Sequence, residues 1–269
     1  MYRILTTSST AVKITAKTSL KGKWIPAIAV CCIFIFSFMI ISNSISILSL
    51  VTGGLIAELV LLSIYILILG PLALGVIRFF WRMLFDACDK PLSLFYYFSH
   101  KHIYKRSLGL ILTLVFKMIL WSFFLKIPVF ITEFLANEGI YEFFEMPIPI
   151  WTANLGGIKI FLEVITSVLI GFIMLKYYLA PMLFVADDNI EPAEALLMSK
   201  TISKKTTIDF IYFLASFLGW FLLSLTMVPI IFIFPYFVTS YLVHSRFAVA
   251  EYNKLIKQIN ENLYHSYSV

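Results

Sequence analysis

Long apolar runs alternate with short polar segments along the whole chain. A helix needs about 20 apolar residues to cross the hydrocarbon core of a bilayer, and runs of this length recur. We therefore predict an all-α, polytopic membrane protein that forms one transmembrane domain over residues 1–269, with short amphipathic helices at the interfaces. The six predicted transmembrane helices lie near residues 24–48, 57–77, 108–131, 158–184, 209–227 and 230–248.

The last two spans come from one apolar stretch, residues 208–243, whose single charge, Asp209, lies near its start. At about 1.5 Å per residue, one straight helix of this length would be far longer than a bilayer is thick. We therefore predict a helical hairpin that turns at Pro229. Such a hairpin places Asp209 on the same side of the membrane as His244 and Arg246.

The charge pattern predicts how the protein is oriented in the membrane. Only 13% of the residues are charged, about half the share of a soluble domain, which excludes a soluble enzyme, a disordered protein and a nucleic-acid reader. Most basic residues lie in the N-terminal arm, in the loops after the second and fourth spans and in the tail, whereas the loop 132–157 carries four glutamates and no Lys or Arg. By the positive-inside rule, both termini are predicted to be cytoplasmic.

Three short segments outside the spans carry helical patterns. In the N-terminal arm an apolar stripe adjoins a lysine stripe, which predicts a helix on the inner leaflet. The apolar stripe is Val12, Ala16 and Leu20, and the lysines are Lys13, Lys17 and Lys21. Residues 134–146 repeat glutamates on one face, which predicts a helix at the outer interface. A third helix is predicted near 190–203, because Asp188 and Glu191 have capping-box spacing before Pro192.

Short motifs occur at several places along these segments. They are 16–24 (AKTSLKGKW), 70–75 (GPLALG), 120–122 (LWS), 186–187 (AD), 194–195 (EA), 199–200 (SK), 216–220 (SFLGW) and 235–236 (PY). In these motifs the chain resembles the bacterial integral membrane family catalogued as domain of unknown function 975. The resemblance implies the same topology in a bacterial plasma membrane, and no established activity. The chain departs from the family at 127–129 (IPV), which lacks a glycine, and at 203–205 (SKK), which replaces Gly-His-Lys.

Four ionisable residues inside or at the edges of spans form the candidate intramembrane polar site. Lys117 lies near the middle of the third span, where an unpaired lysine costs about 2.5–3.5 kcal/mol on insertion scales. It is either an anion contact in a pathway or a structural lysine bonded within the bundle. Glu58, Lys126 and Glu163 lie at matching depths near the outer ends of their spans, so they either form a salt-bridged cluster or snorkel to the interface.

Gly70-Pro71 and Pro235 are candidate breaks in the second and sixth spans. A broken helix can expose carbonyl groups to a substrate or a cation. The alternative is a packing kink, since small residues let helices approach closely.

Basic residues beside the spans are predicted to contact anionic lipid headgroups. They are Lys13, Lys17, Lys21, Lys101, Lys105 and Arg106. The sequence contains no catalytic set, metal-ligand spacing or nucleotide-binding loop that we recognise. We therefore expect no enzymatic activity, no cofactor, no metal and no nucleic-acid partner.

The leading hypothesis is a non-enzymatic accessory, scaffold or lipid-interacting protein, whose partners are membrane lipids or other membrane proteins. The alternative is a transporter or flippase for a small amphipathic or anionic solute, with a mid-membrane site around Lys117. An intramembrane enzyme is the least favoured class, because it needs the cluster of Glu58, Lys126 and Glu163.

Overall fold

The computed structural model describes residues 9–52, 54–87, 89–137, 155–224 and 229–267. Within these ranges the chain folds into helices and contains no strand, which confirms the all-α class expected from the apolar pattern. Five helices are long and apolar enough to cross a membrane, and one bent pair of helices can supply a sixth span. By the length and composition of its helices, this is a multi-pass membrane protein.

The chain divides into two compact units. Unit 1 comprises Met1–Leu112 and Tyr177–Val269, and unit 2 comprises Thr113–Lys176. Unit 1 begins with α1 (Ser9–Leu20), α2 (Trp24–Thr52), α3 (Gly54–Ile64), a π-helical turn (Tyr65–Leu69), α4 (Gly70–Met83) and a 3-10 segment (Pro91–Phe98). Helix α5 (Lys101–Leu125) begins in unit 1 and ends in unit 2, and α6 (Ile127–Leu135), α7 (Leu155–Met174) and the short turn Leu175–Tyr177 follow it. Unit 1 resumes with α8 (Ala180–Ala186), α9 (Pro192–Ala215), α10 (Leu218–Ser224) and α11 (Ile230–Tyr267).

The predicted N-terminal helix forms, but its apolar stripe has a different partner from the expected one. Val12, Ala16 and Leu20 are fully buried, and α1 packs against α11. The stripe is therefore covered by protein rather than by an inner leaflet. The amphipathic pattern identifies the buried face of a helix, but it does not say whether lipid or protein covers that face.

The Gly70-Pro71 segment lies at a change of helix type rather than at a gap in the helix. Proline has no N–H to donate to the carbonyl four residues earlier, which here belongs to Leu67. The Tyr104 hydroxyl donates to this carbonyl instead, at 2.9 Å. The π-helical turn directly precedes Gly70, whose hypothetical Cβ would lie 2.7 Å from Ile111. These contacts favour the packing alternative for this segment.

Gly75 marks the closest approach between α4 and the 3-10 segment. A Cβ built on Gly75 would lie 1.9 Å from the Leu94 carbonyl oxygen. Because only a residue without a side chain fits, the glycine lets the two backbones touch. Pro235, by contrast, lies inside the continuous helix α11 and is buried.

The segment after α8 departs from the predicted division into a short helix and a fifth span. Residues 192–203 and the start of the span belong to one helix, α9, because no Gly or Pro separates them after Pro192. The break comes later, at Ser216 and Phe217, where α10 bends away from α9 by 46°. Glu191 precedes α9 without a side-chain cap, and the predicted capping partner Asp188 pairs with Arg78 instead.

Two predictions lie wholly or mainly outside the described residues. The outer interfacial helix at 134–146 and most of the acidic loop 132–157 fall between the ranges that the structure describes. The hairpin turn is described only at Pro229, whose carbonyl accepts the first backbone bonds of α11 from Phe232 and Ile233.

Candidate functional site

The residues predicted to contact lipid headgroups fall into two groups in the structure. Lys17, Lys21, Lys101 and Lys105 have exposed side chains. Lys13 and Arg106 instead turn towards the protein and donate to backbone carbonyls. The first group is available to an external anion, whereas the second group also holds the fold together.

Lys13 attaches α1 to the break between α9 and α10. Its Nζ donates to the Ser216 carbonyl at 2.6 Å and lies 4.5 Å from the centre of the Phe217 ring. A helix end leaves carbonyls without partners, and a cation favours that position because of the helix dipole. Burial lowers the pKa of Lys13. The bond fixes the position of α1 beside the bend.

One turn further along α1, Lys17 lies at a groove of 250 Å³. The other lining residues are Trp24, Trp220, Phe232, Ile233 and Tyr236. Two ring pairs build its walls: Trp24 and Phe232 have centroids 6.2 Å apart, and Trp220 and Tyr236 have centroids 6.0 Å apart.

The groove combines apolar walls with a single cation. Within the part of the chain that the structure describes, the Lys17 ammonium has no ion pair and no hydrogen bond. Trp and Tyr are the side chains enriched where a bilayer meets water. An amphipathic anion matches this surface, since its chain can lie against the rings while its charged head meets Lys17. No group of three or more metal-ligating side chains occurs among the described residues.

The candidate intramembrane residues are divided between the two units. Lys117 is half-buried on α5, Lys126 is half-buried between α5 and α6, and Glu163 is exposed on α7, all in unit 2. Glu58 is exposed on α3, in unit 1.

Unit 2 contains an ion pair that the sequence did not point to. Lys159 Nζ lies 2.8 Å from Glu133 Oε1, which joins α6 to α7. Glu163 follows Lys159 by one helical turn, a spacing at which opposite charges attract. The charged cluster in this unit is therefore built around Lys159.

Sequence reasoning also missed the main ion pair of unit 1. Arg78 donates to both carboxylate oxygens of Asp188, at 2.5 Å and 3.3 Å, and its guanidinium stacks 3.6 Å from the Tyr96 ring centre. Arg78 and Asp188 are separated by 110 residues. No local spacing rule reaches that far, so no pattern in the sequence could have identified this pair.

The comparison with known families agrees with the motifs. The model of the family described as "Protein of unknown function (DUF975)" matches residues 1–248. No curated protein sequence and no solved structure matches the chain. Because the match covers most of the 269 residues, the chain belongs to this family of proteins of unknown function, DUF975.

Proposed function

We propose that this protein is a non-enzymatic integral membrane protein of the bacterial plasma membrane that binds anionic phospholipid. The observation that carries the proposal is the unpartnered Lys17 ammonium at the groove lined by Trp24, Trp220 and Tyr236. The groove offers rings to an acyl chain and a cation to a phosphate headgroup. Such a protein acts as a lipid-organising accessory or scaffold for other membrane proteins.

The distribution of charge supports a cytoplasmic position for this groove. Lys13, Lys17, Lys21 and Lys23 lie within or directly after α1, the helix that carries Lys17 to the groove, and residues 9–23 contain no Asp or Glu. An excess of basic residues favours the cytoplasmic side, where anionic lipids attract each surface cation by about 1 kcal/mol. Under this proposal both termini are cytoplasmic.

Lipid retention by the purified full-length protein tests the proposal. We expect native mass spectrometry to detect bound phosphatidylglycerol on the unaltered protein, and a Lys17→Glu variant to retain about tenfold less, because the reversed charge repels the headgroup. The matched control is Lys200→Glu, which reverses an exposed lysine of α9 away from the groove lining. Equal loss in both variants would mean that only overall charge matters, and no loss in either would overturn the proposal.

One observation favours a second candidate, a transporter with a mid-membrane site. Lys117 is half-buried within the candidate span Lys101–Leu125, where a lysine needs a polar environment. A single cysteine at position 117 in a cysteine-free background should then react with a membrane-impermeant thiol reagent, as a cysteine at exposed position 101 should. Lys117→Met should abolish transport without lowering protein abundance. Protection of position 117 from both sides, with position 101 reactive, would exclude this candidate.

A further inference from the structure

A second cationic site lies in unit 1, around Arg106 at the start of α5. Its guanidinium donates to the backbone carbonyls of Asp188 and Ile190 and lies 5.5 Å from the Phe184 ring centre. These partners are neutral. Within the described ranges no carboxylate forms an ion pair with Arg106, and its buried Nε has no hydrogen-bond partner. Charges inside a protein are normally paired, but Arg106, which is half-buried, has no carboxylate partner in the described ranges.

The carboxylate of Asp188, a residue that lines the same cleft as Arg106, already pairs with Arg78. Asp188 is held in two hydrogen bonds by Arg78, and Asp187 accepts a bond from the Asn189 N–H at 2.9 Å. Arg78 thus takes up the carboxylate of Asp188, whereas Arg106 contacts Asp188 only at its backbone carbonyl. The charges of Arg78, Arg106, Asp187 and Asp188 balance, so an arriving anion would bind through Arg106, which forms no ion pair with a carboxylate of the described residues.

Arg106 and Asp188 line a polar cleft of 240 Å³. The lining residues are Tyr96, Tyr97, His102, Ile103, Arg106, Phe184, Asp188 and Asn189. The volume is below the range of about 300–1,000 Å³ typical of sites for drug-sized ligands, so it suits a single anionic group with its water. The cleft shares no lining residue with the Lys17 groove.

Tyr97 supplies a neutral donor in the same cleft. Its side chain is buried, and its hydroxyl lies near Arg78 but forms no hydrogen bond of ordinary geometry with the described residues. Burial raises the pKa of the Tyr97 hydroxyl, so the group keeps its proton and can donate. A buried donor without an acceptor costs free energy, which a bound anion would recover.

We propose that this cleft binds a phosphate-class oxyanion, with Arg106 as its charged donor and the Tyr97 hydroxyl as its neutral donor. A guanidinium presents N–H groups in a fork that matches phosphate oxygens. The same chemistry fits two sources, the headgroup of a membrane phospholipid and free phosphate in the aqueous phase. The site does not depend on lipid binding at the Lys17 groove.

The first experiment titrates inorganic phosphate into the purified full-length protein in an uncharged detergent, with chloride balancing the ionic strength. We expect a saturable rise in the unfolding temperature, since a ligand that binds only the folded state stabilises it. Tyr97→Phe should weaken the apparent affinity about tenfold, because one bond to a charged group is lost. Arg106→Lys should weaken it at least as much, because the fork is lost.

Two controls separate this site from general charge effects and from the groove. Lys204→Gln removes an exposed positive charge of α9, and Lys17→Glu disables the groove; both should keep the full phosphate response. The Tyr97→Phe comparison remains valid if Arg106→Lys does not fold, because the Tyr97 hydroxyl has no ordinary hydrogen bond to lose. Equal responses in the unaltered protein, Tyr97→Phe and every folded Arg106 variant would overturn the proposal.

A second experiment distinguishes the two sources of phosphate. The titration is repeated in nanodiscs of phosphatidylcholine alone and of phosphatidylcholine with phosphatidic acid. If the lipid headgroup is the ligand, phosphatidic acid occupies the cleft and abolishes the response to added phosphate. In the same nanodiscs, the Tyr97→Phe variant should also show no response to added phosphate. If free phosphate is the ligand, the response is the same in both nanodiscs. Two results together would overturn the proposal. The unaltered protein would show no phosphate response in detergent, and Tyr97→Phe would retain as much phosphatidic acid as the unaltered protein does.

Discussion

Unit 1 and unit 2 are both apolar, but they bury their side chains very differently. Unit 1 encloses large aromatic residues such as Phe80, Phe213 and Phe217. In the described part of unit 2, only Val129, Leu155 and Thr166 are buried. In a bilayer, lipid chains are as apolar as Leu, so apolar side chains gain little by leaving lipid for protein. What distinguishes unit 1 is therefore something other than hydrophobicity.

The difference lies in close backbone contacts and in side chains that bond backbone carbonyls of other helices. In unit 1, Gly75 lets α4 touch the 3-10 segment at Leu94, Tyr104 bonds the carbonyl that Pro71 leaves free, and Lys13 bonds the carbonyl at the end of α9. The glycines described in unit 2, Gly156, Gly157 and Gly171, face open space. Packing in unit 1 is specified by these contacts, whereas unit 2 presents its apolar surface to its surroundings.

The largest expected difference between the units comes from replacing one glycine in each unit with alanine. Gly75→Ala places a Cβ against the Leu94 carbonyl oxygen, so the backbones must move apart, and we expect a loss of about 3 kcal/mol or more in the free energy of unfolding. Gly171→Ala meets nothing within 4 Å and should be neutral or stabilising by up to about 1 kcal/mol. Thermal unfolding followed by tryptophan fluorescence in detergent measures both variants. Similar effects in the two units would remove the distinction between them.

Individual residues show how far sequence reasoning reaches. The stripe of Val12, Ala16 and Leu20 predicts a helix and its apolar face, because a 3.6-residue period is local information. The helix forms, but α11 covers this face in place of the predicted inner leaflet. The span after Asp209 was divided in the wrong place, since nothing in residues 203–208 ends a helix and the break comes at Ser216. Periodicity locates helices well, but it does not place their ends.

Contacts between distant parts of the chain were beyond sequence reasoning. Asp188 was assigned to a local cap, yet its carboxylate binds Arg78, because a guanidinium offers two hydrogen bonds and a full charge where a cap offers one neutral N–H. Arg106 was recognised as a cation beside a span, but the carbonyls that hold it and the cleft around it depend on how the helices pack.

The second prediction compares one ion pair from each unit. Asp188→Asn leaves Arg78, whose side chain is only 12% exposed, without its counter-charge, and we expect a loss of about 1–3 kcal/mol. Glu133→Gln breaks the Lys159 pair, in which both side chains are substantially exposed, and should cost less than about 1 kcal/mol. Chemical denaturation of the two variants in the same detergent tests the difference. Equal costs would show that burial does not strengthen the pair in unit 1.

The third prediction concerns a polar group that unit 1 buries at a cost. His244 is 2% exposed, lies 4.9 Å and 5.5 Å from the ring centres of Phe213 and Phe210, and has no bonded ring nitrogen among the described residues. His244→Phe removes two unsatisfied polar atoms while keeping a ring, so we expect a gain of about 1 kcal/mol. The control His100→Phe alters an exposed ring and should change stability by less than about 0.5 kcal/mol. Destabilisation by His244→Phe would instead indicate that a water or ligand bonds the imidazole.

The smallest effect is expected where unit 1 is as exposed as unit 2. Asp86 lies 2.7 Å from Lys23 and is 94% exposed, and the Lys23 ammonium lowers the pKa of Asp86. A lowered folded-state pKa stabilises the fold at pH values above the ordinary pKa of the free carboxyl group, and this contribution is lost as the pH falls through the folded-state pKa. Asp86→Asn suits the test, because φ at this position is +60°, a conformation that Asn tolerates.

We expect the unaltered protein to unfold at a slightly higher temperature than Asp86→Asn at pH 7 in low salt. The difference should vanish both at acidic pH, where the carboxylate takes up a proton, and in 1 M salt, where exposed charges are screened. A large difference that persists in 1 M salt would mean that surface pairs also specify unit 1. Its distinction from unit 2 would then extend beyond backbone contacts and buried polar groups to its exposed surface.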